Sequence, residues 1–197
     1  MTVAHPDVID LLVGIAPGSV LDGIRSQRQQ ARDNAQASYL ALFKPDDPGD
    51  VTIGERYALA VFIAGLHRQP AIGAFYGDEL ARLAPDLVAP LGAEIVRAAA
   101  EGPYGYYPDG PLSGENREGP IYAVADAQAA LLGARLTAAM QHIHMLVFHP
   151  RDAAPEALEA LQDAGWSTTG IVTISQLAAF LSFQIRVVSG LRTLAAV

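Results

Sequence analysis

From Thr52 the chain reads TIGERYALAVFIAGLHRQPAIGAFY, with Leu59, Phe62, Ile63 and Leu66 recurring at intervals of three and four. That spacing puts them on one face of a helix. Thr52 followed by Glu55 predicts a capping box at its start, and Pro70, which lacks a backbone donor, ends it and opens another helix to about Leu83. His67 falls at the junction, where one helix's unpaired carbonyls meet the next one's unpaired amides.

A short apolar helix is predicted over Asp7 to Ile15, ended by Pro17-Gly18, with Ser19 capping a long helix from Val20. The stripe Ile24, Ala31, Ala35, Ser38 and Leu42 is poor in large side chains and predicts close packing, with Arg25, Arg28, Gln29 and Arg32 facing water. KPDDPGD, residues 44–50, reads as a loop. After Pro85 a helix is expected from about Leu91 to Ala100. Residues 101–120 carry five Gly and four Pro, too many for a regular element. Loops of this length serve as lids, contacts or connectors, and Tyr104, Tyr106 and Tyr107 give it side chains to pack. A helix of Ile121 to Phe148 follows, then a short one from Pro155 to the left-handed stop at Gly165. Trp166 then anchors the chain, and Ser167 or Thr168 caps a final helix to about Leu194. The fold class expected is all-α, one domain over 1–197, with N-terminal helices in 1–50, central helices in 51–100, the loop 101–120 and C-terminal helices in 121–197.

Composition narrows the chemistry. The formal charge of −8 and a single Lys, Lys44, argue against nucleic-acid or anionic-membrane partners, which need clustered cations. Cysteine is absent, which excludes disulfides, thiolate nucleophiles and cysteine-ligated metal. The start MTVAHPDVID lacks the basic-then-apolar order of a secretory leader, and the longest uncharged apolar run, Gly170 to Ile185, falls short of the roughly 20 residues a bilayer span needs. A cytoplasmic protein is expected. His142 and His144 point to opposite faces of a helix, and His142 and His149 stand about 10 Å apart along one, so no metal or other cofactor is expected. Arg186 lies in an apolar run and calls for an acidic partner such as Glu55, Asp126 or Asp163.

Residues 149–194, with Gly165, a capping residue, then Gln176, Phe180, Phe183, Arg186, Gly190 and Leu191 in order, resemble the C-terminal half of the carboxymuconolactone-decarboxylase and alkylhydroperoxidase-like superfamily, in its peroxidase-related branch. The resemblance implies an alkylhydroperoxidase-like helical bundle that assembles into dimers, trimers or hexamers. Redox members carry Glu, eleven residues, Cys, two residues, Cys, three residues, His. Laid on Glu55, that spacing puts His67 and Pro70 at the Cys positions and Ala74 at the His position. Only Glu55 matches, so thiol peroxidase chemistry is expected to be lost. Two alternatives stay open. Glu55 and His67 would act as an acid/base pair on a small lactone or keto acid in a decarboxylase or isomerase, or the chain is a non-enzymatic binding or scaffold protein with a small-molecule ligand or a partner subunit.

Overall fold

The structure, a computed structural model, describes residues 5–196, and among these it is all-helical. The first four residues of the stretch read as lacking a secretory leader lie outside the described residues. Nine α-helices run in order: α1 Val8–Val13, α2 Val20–Ser26, α3 Gln29–Phe43, α4 Ile53–Leu66, α5 Pro70–Leu83, α6 Val88–Arg97, α7 Asp126–Phe148, α8 Pro155–Asp163 and α9 Thr168–Ala195. Among the described residues the one β-bridge is an isolated antiparallel pair, Gly105 with Arg117.

Helix α4 is the hub. Its capping box forms as the sequence predicts, with the Thr52 hydroxyl accepting from the Glu55 amide and the Glu55 carboxylate accepting from the Thr52 amide. Ala58, Leu59, Ala60, Phe62, Ile63 and Ala64 are fully buried, because α5, α6, α7 and α9 surround it. Burying each large side chain contributes about 1.5–3 kcal/mol. Gly65 lets α6 approach: a Cβ there would sit 2.5 Å from Ile95 Cγ2. Pro70 takes the first-turn position of α5, where its missing N–H costs nothing.

The single long helix expected from Val20 is two, broken at Gln27 and Arg28. Arg25 does not face water. It is buried, donating to Asp7 at 2.7 Å and to Asp10, while Arg32 from the other side of the break meets Asp10 and Asp22. No Pro or Gly forces the break, and its effect is that both guanidiniums converge on Asp10. Nor does the small-residue stripe of α3 pack closely throughout, since Ala31, Ala35, Ser38 and Leu42 line open cavities against α9.

Helix α7 starts five residues later than Ile121. The amides of Val124 and Ala125 donate to Gln141 Oε1 and Glu94 Oε1, so the approach to the helix stays extended. Inside α7, Gly133 departs from helix geometry at φ 79°, ψ 162°. The 101–120 segment holds only one short 3-10 turn, Ser113–Glu115, and is tied to the body by the buried Tyr104 ring, which packs on His149. Ser167 caps α9 and Gly165 takes the left-handed stop at φ 90°. Helix α9 is long and apolar enough to cross a membrane by length and composition, which the sequence reading did not expect, and half of its most apolar window is buried against the other helices.

Candidate ligand-binding site

Glu55 is committed to structure at every oxygen. Its Oε2 accepts from the Thr52 amide and hydroxyl at 2.9 and 3.0 Å, and its Oε1 accepts from Arg135 Nε at 3.0 Å. Arg135 donates further to the carbonyls of Gly165 and Asp50 and lies 3.7 Å over the Trp166 ring. The Trp166 indole N–H returns a bond to the Arg135 carbonyl at 2.9 Å. The cluster ties the start of α4 to α7 and to the turn before α9.

His67 caps the other end of α4. Its Nε2 lies 3.2 Å from the Ser182 hydroxyl of α9. Burial, and secondarily the Arg186 charge, push its pKa below the ordinary value, so the ring is neutral near pH 7. Twelve residues of helix separate it from Glu55, about 18 Å at 1.5 Å per residue. The structure therefore does not bring the two together, and one small substrate does not touch both. The acidic partner expected for Arg186 is also absent among the described residues: Arg186 is exposed and donates to the Ser182 carbonyl, so it needs no carboxylate.

The residue next to Glu55 is the one that sequence reasoning missed. Arg56 is only 5% exposed, and its guanidinium donates to four backbone carbonyls: Nε to Val51 at 3.0 Å, Nη1 to Ala41 and Leu42 at 3.3 and 2.7 Å, and Nη2 to Pro48 at 2.6 Å. Ala41 and Leu42 belong to the last turn of α3, where a cation answers the helix dipole. A guanidinium has five N–H donors, so one on Nη2 is left over. Among the described residues no carboxylate offsets the cost of burying this charge, and its pKa is lowered by burial alone.

Arg56 lines a cavity of about 550 Å³ between α3, α4 and α9. Ser38, Thr173 and Gln176 supply polar groups to its wall, and Leu42, Phe180 and Phe183 supply apolar ones. Gln176, Phe180 and Phe183 are three of the residues on which the family resemblance rests. A cavity of this size, about half apolar, with a few convergent polar groups and one buried cation, has the makeup of a small-molecule site. The sequence did carry a signal for it: Arg56 is the one cation within the apolar run of α4.

A second polar cluster lies under the 101–120 segment. Glu94, fully buried, accepts from the Tyr122 hydroxyl at 2.6 Å and from Arg97 Nε at 3.2 Å. His144 stacks on Tyr122, bonds the Ala98 carbonyl through Nε2 at 3.1 Å, and has its pKa pushed down to about 4 by burial. His149 Nδ1 meets Asp152 at 2.9 Å and its Nε2 meets the Pro120 carbonyl at 3.0 Å, which fastens the segment to the end of α7. Both ring nitrogens of His142 lack hydrogen-bond partners, and burial lowers its pKa too. No protein-family model, curated protein or solved structure matches the chain.

Proposed function

We propose that this protein is a cysteine-free relative of the alkylhydroperoxidase-like helical proteins that binds a small organic anion in the Arg56 cavity and does not reduce peroxides. The observation that carries the binding is the buried guanidinium without a carboxylate partner, with one N–H to spare, at the wall of a half-apolar cavity. A carboxylate entering there replaces water around a charge that the fold leaves uncompensated, and a charge-assisted bond to Nη2 is the strong kind. Gln176 adds a donor on the rim, while Phe180 and Phe183 offer ring faces to an apolar body.

The loss of peroxidase chemistry rests on the absence of cysteine, since a dithiol mechanism needs both a nucleophile and a resolving thiol. Kinship rests on the residue order around Gly165 and Gln176 to Leu191. An acid/base enzyme working through Glu55 and His67 has less support, because Glu55 is held by Thr52 and Arg135 and His67 lies at the far end of α4.

Titration calorimetry with benzoate and with benzamide, which has the same shape without the charge, tests the reading. Saturable benzoate binding, about tenfold or more tighter than benzamide, is expected. Ala179→Trp, a substitution at an exposed wall position of the cavity, should abolish it while leaving the fold intact. Equal affinity for both compounds, or binding that survives Ala179→Trp, would refute it. Hydroperoxide consumption with a dithiol donor is expected to stay at background.

A further inference from the structure

Phe183 forms part of the wall of the Arg56 cavity. That ring, 46% exposed, also lines a second cavity of about 270 Å³ between α1, α2, α3 and α9. On α9 the two are walled by Thr173, Gln176, Phe180, Phe183, Val187 and Leu191, a run at intervals of three and four that forms one continuous stripe. Across from it, antiparallel in chain direction, α3 presents Leu42, Ser38, Ala35 and Ala31. Small side chains there leave the space between the helices open, and the stripe on α9 extends about 27 Å at 1.5 Å per residue.

The two halves differ in chemistry. The first holds the Arg56 guanidinium and the polar groups of Ser38, Thr173 and Gln176. The second exposes almost only apolar surface although three Arg line it: the charges of Arg25 and Arg32 are taken up by Asp7, Asp10 and Asp22, and Arg28 is exposed to solvent. A cationic site with a carbon-lined one next to it, on the same face of α9, is complementary to one kind of molecule. We propose that the anion bound here is a long-chain aliphatic carboxylate, its head in the Arg56 cavity and its tail laid past Phe183 into the cavity lined by Ala31, Val187 and Leu191. This deepens the reading of the Arg56 cavity as an anion site and rests on it.

Calorimetric titration of the whole protein with butyrate, octanoate, decanoate and dodecanoate, kept below micelle-forming concentrations, reads the tail directly. Affinity should rise about two- to fourfold per added methylene from octanoate to dodecanoate, as expected for methylenes leaving water. Ala31→Trp, at an exposed position lining only the second cavity, should flatten this dependence and leave benzoate binding unchanged. Removing the charge, with 1-decanol in place of decanoate, should weaken binding at least tenfold. If benzoate binds but chain length has no effect, or Ala31→Trp leaves the dependence intact, the tail site is refuted while the anion site stands. If neither benzoate nor any fatty carboxylate binds, both fall. A dimer in sedimentation that Ala31→Trp dissociates, together with no ligand binding, would assign the trough to a second copy of the chain and overturn the proposal.

Discussion

Arg56 and Glu55 are neighbours in sequence with opposite legibility. Glu55 could be read in advance, because the capping box is a contact between residues three apart and the chain spells both partners. Arg56 showed only as a cation within the apolar run of α4, since its partners are the main-chain carbonyls of Ala41, Leu42, Pro48 and Val51, a group that every residue carries and no side chain announces. Arg56→Met should lower stability by about 3 kcal/mol or more in urea unfolding, because it strands several buried acceptors at once. Glu55→Ala should cost about 1–2 kcal/mol through the lost cap and the loosened Arg135, and leave benzoate affinity unchanged. Arg186 differs from the sequence expectation for another reason. Helical periodicity puts it on the exposed face with Phe183 and Gly190, and the apolar neighbours that suggested burial lie on the other side of the helix.

His144 gives a prediction with a sign. Its pKa falls from the ordinary 6.5 to about 4 in the folded protein because burial disfavours the charged ring. Between those values the unfolded chain takes up a proton that the folded chain refuses, so stability is full above pH 6.5 and is lost as pH falls towards 4. His142 and His67 shift the same way and add to the loss. The stability difference between wild type and His144→Gln, measured by urea unfolding at several pH values, should therefore be flat above pH 7 and shrink by up to about 3 kcal/mol at pH 4. A difference that grows in acid would contradict the burial assignment.

At the scale of elements, the strongly periodic helices and their stops were legible: α4, α5, α8 and α9 begin and end within a residue or two of where Thr52, Pro70, Pro155, Gly165 and Ser167 put them. What was not legible arose from contacts between distant elements. The break between α2 and α3 accompanies the convergence of Arg25 and Arg32 on Asp10, and α7 starts late because Glu94 and Gln141 bind the amides ahead of it. The close approach of α4 and α6 at Gly65 can be tested by Gly65→Ala, which forces a Cβ against Ile95 and should cost about 1–3 kcal/mol. Adding Ile95→Ala should recover part of that loss, and a double-mutant cycle would show the coupling.

Across the whole molecule, the expectation of an all-helical fold matches the described residues, and the core gathers around α4 as the periodicity of that segment suggests. The site was visible only in fragments. Gln176, Phe180 and Phe183 stood out by resemblance and Ala31, Ala35 and Ser38 by small size, but their meeting across a cavity is a property of how α3 and α9 are set apart, which no local pattern encodes. Folding buries the Arg56 cation without a counter-ion among the described residues and leaves it beside an open space. The most direct test follows the Nε–H resonance of Arg56 and the backbone amides of Thr173 and Gln176 by NMR while benzoate is added to the isotopically labelled protein. Saturable shifts confined to these positions, far weaker with benzamide, are predicted. An unmoved Arg56 signal at saturating benzoate, or shifts centred elsewhere on the protein, would contradict the account.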